Sequence, residues 1–463
     1  MCRPGKSLIA PGKRESRMST TKFKFTTVTA VVIANMVGTG VFTSLGFQLL
    51  DIQSGFVILL LWALGGLIAL CGAMTYAELG AALPRSGGEY NFLARIYHPA
   101  AGFAAGWTSV TIGFAGPTAL AAMTFAAYTT SILPGVSSVW IEKALAVGLV
   151  VLLTVIHGSS RRNSGGMQVI FTVLKVGVIA MFCLAAVFMV DNPQPIRFLP
   201  SGGDGALLTS GAFAVSLIYV SYAYTGWNAA TYLSSELEDP QRTLPGILLT
   251  GTLVVTALYV ALNFVFLYSA PVDSMQGQVE IGFIAAQSVF GDLGARFTGL
   301  VLASLLISTV SAMTIAGPRV LQVLGEDFKA LKYLAHKNED GIPSRAIYVQ
   351  STLAIAFILS SSFESVLVFA GFTLALNSFA TVTSVFVLRW RQPDLPRPYR
   401  TFLFPIPPLI YLTLMGWTLW FVLMNRPVEG LFGIGIIGSG LLVYVISRAK
   451  SDASQARGDP HSQ

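Results

Sequence analysis

The amino-acid sequence predicts an all-α integral membrane protein with twelve transmembrane helices. Three observations point there: a composition too apolar for a water-soluble body, apolar runs that recur along the chain, and positive charge gathered on alternate connections. Of the 463 residues, 54% are hydrophobic and 11% charged, whereas an average soluble domain is about 25% charged. Runs near the ~20 apolar residues that cross a hydrocarbon core lie at about 26–50, 55–80, 100–131, 141–157, 166–190, 207–233, 246–270, 296–324, 345–361, 364–389, 403–424 and 430–447.

With the N-terminus inside, 24 of the 29 lysines and arginines fall on that side of the membrane. The opposite side holds Lys143, Arg197, Arg296 and Arg426, and Lys175 lies within a span. Positive charge resists translocation, so both termini are expected in the cytoplasm of a plasma (inner) membrane protein. The even number of spans agrees. Residues before Thr21 are polar and basic, with no apolar stretch and cleavage site of the kind that marks a secretory signal. The first run therefore reads as a true span.

Several functions are disfavoured. The net charge of +7 is spread between spans rather than gathered in one patch, which suits membrane orientation better than nucleic acid. Cys2, Cys71 and Cys183 show no pair spacing and read as unpaired packing residues. His98, His157, His336 and His461 are scattered, with neither metal-ligand spacing nor a nucleophile and base arrangement. No enzyme activity, metal or cofactor is expected. Residues 280–290 alternate at helical spacing and suit a short helix at the outer interface or an ordinary loop helix.

Two spans break the rules of a lipid-facing helix. The first reads V-V-I-A-N-M-V-G-T-G-V-F from Val31 to Phe42, placing Gly38, Thr39 and Gly40 at mid-depth. Glycine costs ~1 kcal/mol in a helix interior relative to alanine, although small residues also serve close helix packing in lipid. The sixth span repeats the anomaly with Tyr222-Ala223-Tyr224-Thr225-Gly226-Trp227-Asn228. Paired interruptions five spans apart are the sequence pointer to a repeated transport core. Irregular backbone at that depth must face protein or a wet cavity, so both breaks are expected to line one site. Exposed half-helix amides suit a carboxylate and exposed carbonyls suit an ammonium, a match to a zwitterionic amino acid. Lys175 is a third anomaly: it lies near the middle of its span, with no evident mid-span carboxylate to pair with. Burial disfavours the charged form, so Lys175 is expected to load and release a proton.

The motifs G-T-G-V-F in span one, Y-A-E-L-G-A-A-L-P-R-S-G-G-E-Y at 76–90, Lys175, G-W-N at 226–228 and E-L-E-D-P-Q-R-T-L-P at 236–245 together resemble the amino acid–polyamine–organocation superfamily, closest to its L-type and bacterial amino-acid permeases. The resemblance runs from about Phe25 to Pro398. It implies a LeuT-type fold: a cytoplasmic tail 1–24, a core 25–398 with inverted repeats at about 25–190 and 207–390, two further helices within 399–448, and a cytoplasmic tail 449–463. By the same resemblance, a substrate carboxylate meets the amides of Thr39 and Gly40, and its amine meets carbonyls of Met36, Tyr222 and Thr225. Gly38, Ala223 and Gly226 lie in the same segments, Tyr222 takes the place of an aromatic gate, and Trp227 and Asn228 shape the side-chain pocket. Lys175 occupies the place of a sodium ion, near Gly38 and Thr309, with Ser308 and Ser311 as neighbouring hydroxyls.

Glu78, Arg85, Glu89, Glu236 and Arg242 form an inner gate in this reading; equally, they cap helices and fix loop geometry. L-type members that join a glycoprotein subunit use a cysteine after span three, and residues 131–143 contain none. No disulfide-linked partner is therefore expected. The implied function is secondary transport of small neutral amino acids by proton symport or exchange. The alternatives are a polyamine or cationic amino-acid permease of the same fold, or a membrane sensor that binds without transporting.

Overall fold

The computed structural model describes residues 22–133, 135, 138–159, 165–190, 192–339 and 341–456. Within them the regular secondary structure is helical, apart from an isolated bridge between Phe23 and Leu237. The first apolar run forms two helices, α1 (Phe25–Met36) and α2 (Gly40–Gln48), separated at Val37–Thr39. After it, α3 (Gly55–Ala82) starts where the Ser54 hydroxyl accepts from the Val57 amide, a helix start of the usual N-cap kind. A short amphipathic helix, α4 (Glu89–Ile96), leads into α5 (Pro99–Thr108). A six-residue π segment, Ser109–Phe114, joins α5 to α6 (Ala115–Ile132). Next come α7 (Val139–Ser159) and α8 (Gly165–Met189).

The second half opens with a short α9 (Asp204–Leu208) and α10 (Gly211–Ala223), which gives way at Tyr224–Asn228 to a 3₁₀ segment, Ala229–Glu236. Then follow α11 (Pro240–Ser269), the single turn α12 (Val272–Met275) and α13 (Ile281–Asp327). Gly291 breaks α13 with φ 69° and ψ −175°, a conformation open to glycine. Residues 281–290 are thus a separate helical arm, in keeping with the amphipathic pattern read there. The chain ends with α14 (Ser344–Ser360), α15 (Phe363–Arg391), α16 (Ile406–Asn425) and α17 (Pro427–Ala456).

Among the described residues, nine helices are long and apolar enough to cross a membrane, counting α1–α2 and α5–α6 each as one. Three shorter apolar helices, Val173–Met189, α10 and α14, accompany them. The outer surface is apolar as well: Phe188 is 84% exposed, Leu293 84% and Val155 58%. Such a belt is unfavourable in water and is what a lipid-facing surface requires. This is a multi-span membrane protein. The longest packing seams join α3 to α11 and α6 to α13, with α2 against α10 between them. Cys71 and Cys183 are free, in α3 and α8; Cys2, Arg161 and Arg162 lie outside the described residues.

Candidate functional site

The two interrupted helices meet at their breaks. At the first, the Gly38 amide turns back onto the Met36 carbonyl at 2.7 Å, and α2 restarts at Gly40. The first amides of α2 have no preceding turn to bond, so Thr39 and Gly40 present N–H groups at the break. At the second, Thr225 folds back onto Tyr222, whose carbonyl accepts both the Thr225 amide at 2.9 Å and its hydroxyl at 2.6 Å. Gly226 follows with φ 101°.

Glycine lets the breaks touch. A Cβ on Gly40 would stand 2.6 Å from Ala223 Cα, and one on Gly226 would stand 2.8 to 2.9 Å from Asn35. The Tyr259 hydroxyl of α11 ties them together, 2.5 Å from the Met36 carbonyl and 3.1 Å from that of Ala223. Tyr259 has no signature in sequence, because a tyrosine in an apolar helix reads as packing.

A cavity of about 150 Å³ opens at this meeting point, a volume known to hold a benzene-sized ligand. Met36, Gly38, Thr39, Gly40, Tyr222, Ala223, Thr225, Gly226, Trp227 and Asn228 all line it. Asn35, Glu89, Ser109, Phe114, Tyr232 and Ser378 complete much of the wall. Ser109 and Phe114 belong to the π segment, a feature that often marks functional sites and that periodicity does not disclose. Two carbonyls assigned to a substrate amine are already occupied: Met36 O by Gly38 and Tyr259, and Tyr222 O by both groups of Thr225. Each carbonyl has two lone pairs, so an amine must displace one of these donors.

Lys175 is 8% exposed and reaches the Thr309 hydroxyl at 2.7 Å and the Val37 carbonyl at 3.5 Å. It borders a small void shared with Gly38, Phe42, Tyr128 and Thr309. Thr309 lines the main cavity too, so one hydroxyl separates the lysine from it. Among the described residues no carboxylate forms an ion pair with Lys175. The other two hydroxyls differ in placement. Ser311 contacts His157 of α7 at 2.8 Å, whereas Ser308 is half-buried one residue before Thr309.

The five residues read as an inner gate do not form one cluster. Glu78 is fully buried and holds Arg389 through two bonds of 2.7 and 2.8 Å, with the Thr401 amide at 2.7 Å and Arg397 at 3.7 Å. Its partners thus come from α15 and the segment after it, not from Arg85 or Arg242. Arg242 pairs with Asp239 at 3.6 Å on the surface, and Arg85 and Glu236 are exposed. The Glu236 carbonyl accepts from the Phe23 amide at 2.8 Å, tying the start of α1 to the end of the 3₁₀ segment. Glu89 stands apart in the cavity wall. Distant sequence positions cannot reveal which side of a short helix faces a pocket, so its role there was not legible.

A multi-span helical membrane protein whose two broken helices meet at a shared cavity belongs, by architecture, to the class of membrane carriers. A model of the family described as amino acid permease matches residues 23–445, and the chain belongs to that family, within the amino acid–polyamine–organocation superfamily; it is not an enzyme. Similar proteins include the mouse b(0,+)-type amino acid transporter 1, 25% identical over 428 residues, covering 90% of this chain and 85% of the relative. The mouse large neutral amino acids transporter small subunit 2 is 29% identical over 437 residues, covering 90% and 79%. The mouse Asc-type amino acid transporter 1 is 27% identical over 435 residues, again covering 90% and 79%. One of these relatives is thus named as a small subunit, which bears on the expectation of no ancillary partner.

Proposed function

We propose that the chain is a secondary active transporter of small neutral amino acids, working by alternating access with proton symport or exchange. The observation that carries this reading is that all ten residues assigned from the two breaks line a single cavity. Its amides and carbonyls match the carboxylate and ammonium of an amino acid, and relatives named as amino acid transporters add weight.

The finer organisation follows the same reading. Nine long and three shorter apolar helices support twelve spans. Packing of α3 on α11, α6 on α13 and α7 on α14 sets each span against the one five later, which supports inverted repeats at about 25–190 and 207–390. The core then spans 25–398, helices eleven and twelve lie within 399–448, and the tails 1–24 and 449–463 are cytoplasmic in the inner membrane. Lys175 is the coupling group, with Thr309 beside it and Ser308 and Ser311 on the same helix. Glu78, Arg85, Glu89, Glu236 and Arg242 belong to the inner side, where Glu78 and Glu89 are the buried members. Residues 131–143 lack cysteine, which supports a carrier without a disulfide-linked subunit. The carboxylate of Glu89 in the wall favours one second reading, a carrier of cationic amino acids or polyamines.

Counterflow in proteoliposomes tests these claims. Saturable exchange of labelled small neutral amino acids is expected, and competition by cationic ones instead would select the second reading. Absence of counterflow would leave only a binding protein. Lys175→Ala is expected to flatten the pH dependence of uptake; an unaltered pH profile refutes the coupling role.

A further inference from the structure

Glu89 is 3% exposed and lies where four parts of the fold converge. It sits at the start of α4 and accepts from the Tyr76 hydroxyl of α3 at 2.5 Å, the Ser378 hydroxyl of α15 at 3.0 Å and the Asn228 amide at 3.3 Å. Asn377 of α15 donates as well. All four donors are neutral, and among the described residues no cation forms an ion pair with this carboxylate. Three of these bonds converge on one oxygen, Oε1, and Asn377 donates to the other, Oε2, so Oε1 carries as many donors as it can hold. The oxygen that holds Asn228 is thus engaged entirely by protein donors, even though Glu89 borders the cavity.

Its geometry points instead to the neighbour it holds. Asn228 ends the unwound Tyr224–Asn228 segment and lines the cavity. An ionised carboxylate only accepts hydrogen bonds, so Asn228 must turn its NH₂ toward Glu89 and its carbonyl oxygen elsewhere. Bonds to a charged acceptor are roughly twice as strong as neutral ones. We propose that Glu89 is a positioning residue: it fixes the orientation of the Asn228 amide, and with it the shape of the unwound segment that receives the substrate. The inference rests on the carrier reading for the identity of the substrate, but it is tested by binding.

The experiment is a double-mutant cycle on amino-acid affinity, measured by thermal shift of the purified full-length protein with the amino acid that gives the largest stabilisation. Glu89→Gln keeps the shape but lets the Asn228 amide flip, and is expected to weaken binding roughly tenfold, the worth of one charge-assisted bond. In an Asn228→Ala background the same change is expected to cost less than about twofold, because the residue it acts through is gone. Tyr76→Phe provides a milder variant, since Tyr76 does not line the cavity and the phenylalanine keeps the ring packed on Trp227 while removing only the bond to Glu89. It is expected to weaken binding about threefold, again only when Asn228 is present. Glu89→Asp keeps the charge and is expected to retain more affinity than Glu89→Gln. Additive effects of Glu89→Gln and Asn228→Ala, or unchanged affinity in both Glu89→Gln and Tyr76→Phe, overturn the proposal. A protein that binds but shows no counterflow would count against the carrier reading and leave this cycle intact.

Discussion

Gly40 shows how much of the site depends on single atoms. With Ala223 Cα 2.6 Å from where its Cβ would be, even a methyl group forces α2 and α10 apart, and overpacking of this kind typically costs ~1–3 kcal/mol. Gly40→Val is expected to reduce uptake at least about tenfold while the protein still inserts, since the lost free energy is small against the apolar burial of the remaining helices. Wild-type uptake by that variant, measured in proteoliposomes, would show that the two breaks need not touch. The glycines at 38, 40 and 226 were legible as anomalies, because glycine in a helix interior is unfavourable wherever it occurs. Tyr259 and Glu89 were not. A tyrosine on one helix and a glutamate on another become neighbours of the breaks only through contacts between residues far apart in the chain.

At the level of elements, the boundaries expected from hydrophobic runs agree with the helices to within a few residues over most of the chain. The largest departures are informative. The run at 207–233 is helical only for Gly211–Ala223 and then becomes irregular and 3₁₀, and the run at 296–324 extends back through a glycine break to Ile281. The helical arm at 281–290 is anchored at Glu280, whose carboxylate accepts from the Ser131 hydroxyl at 3.2 Å at the end of α6. Burial pushes the Glu280 carboxyl above its ordinary value, and the charge of Glu142 pushes the same way. A carboxyl whose pKa is raised by folding stabilises the fold below its unfolded value, ~4.3, and loses that contribution as pH rises through the folded value. Glu280→Gln carries no charge at any pH. Its melting temperature relative to wild type is therefore expected to rise between about pH 4 and pH 8; a difference that stays constant with pH would remove the carboxyl from this account. No such anchoring was visible from periodicity, which marks a helix but not what holds its end.

For the whole molecule, orientation is the claim most exposed to test. Single cysteines at Asn338, between α13 and α14, and at Gln276, after α11, are expected to react with an impermeant thiol reagent from opposite faces, the first from the cytoplasm. Labelling of both from one face would contradict the topology built on basic residues. Membrane class, the approximate spans and the two sites of interruption follow from local sequence, because the bilayer imposes length and polarity on each segment separately. That both interruptions border one cavity, that Thr309 rather than Ser311 meets Lys175, and that Glu78 pairs with Arg389 depend on how the helices are rotated and stacked. Those choices come from packing between distant segments, and no run of neighbouring residues encodes them alone.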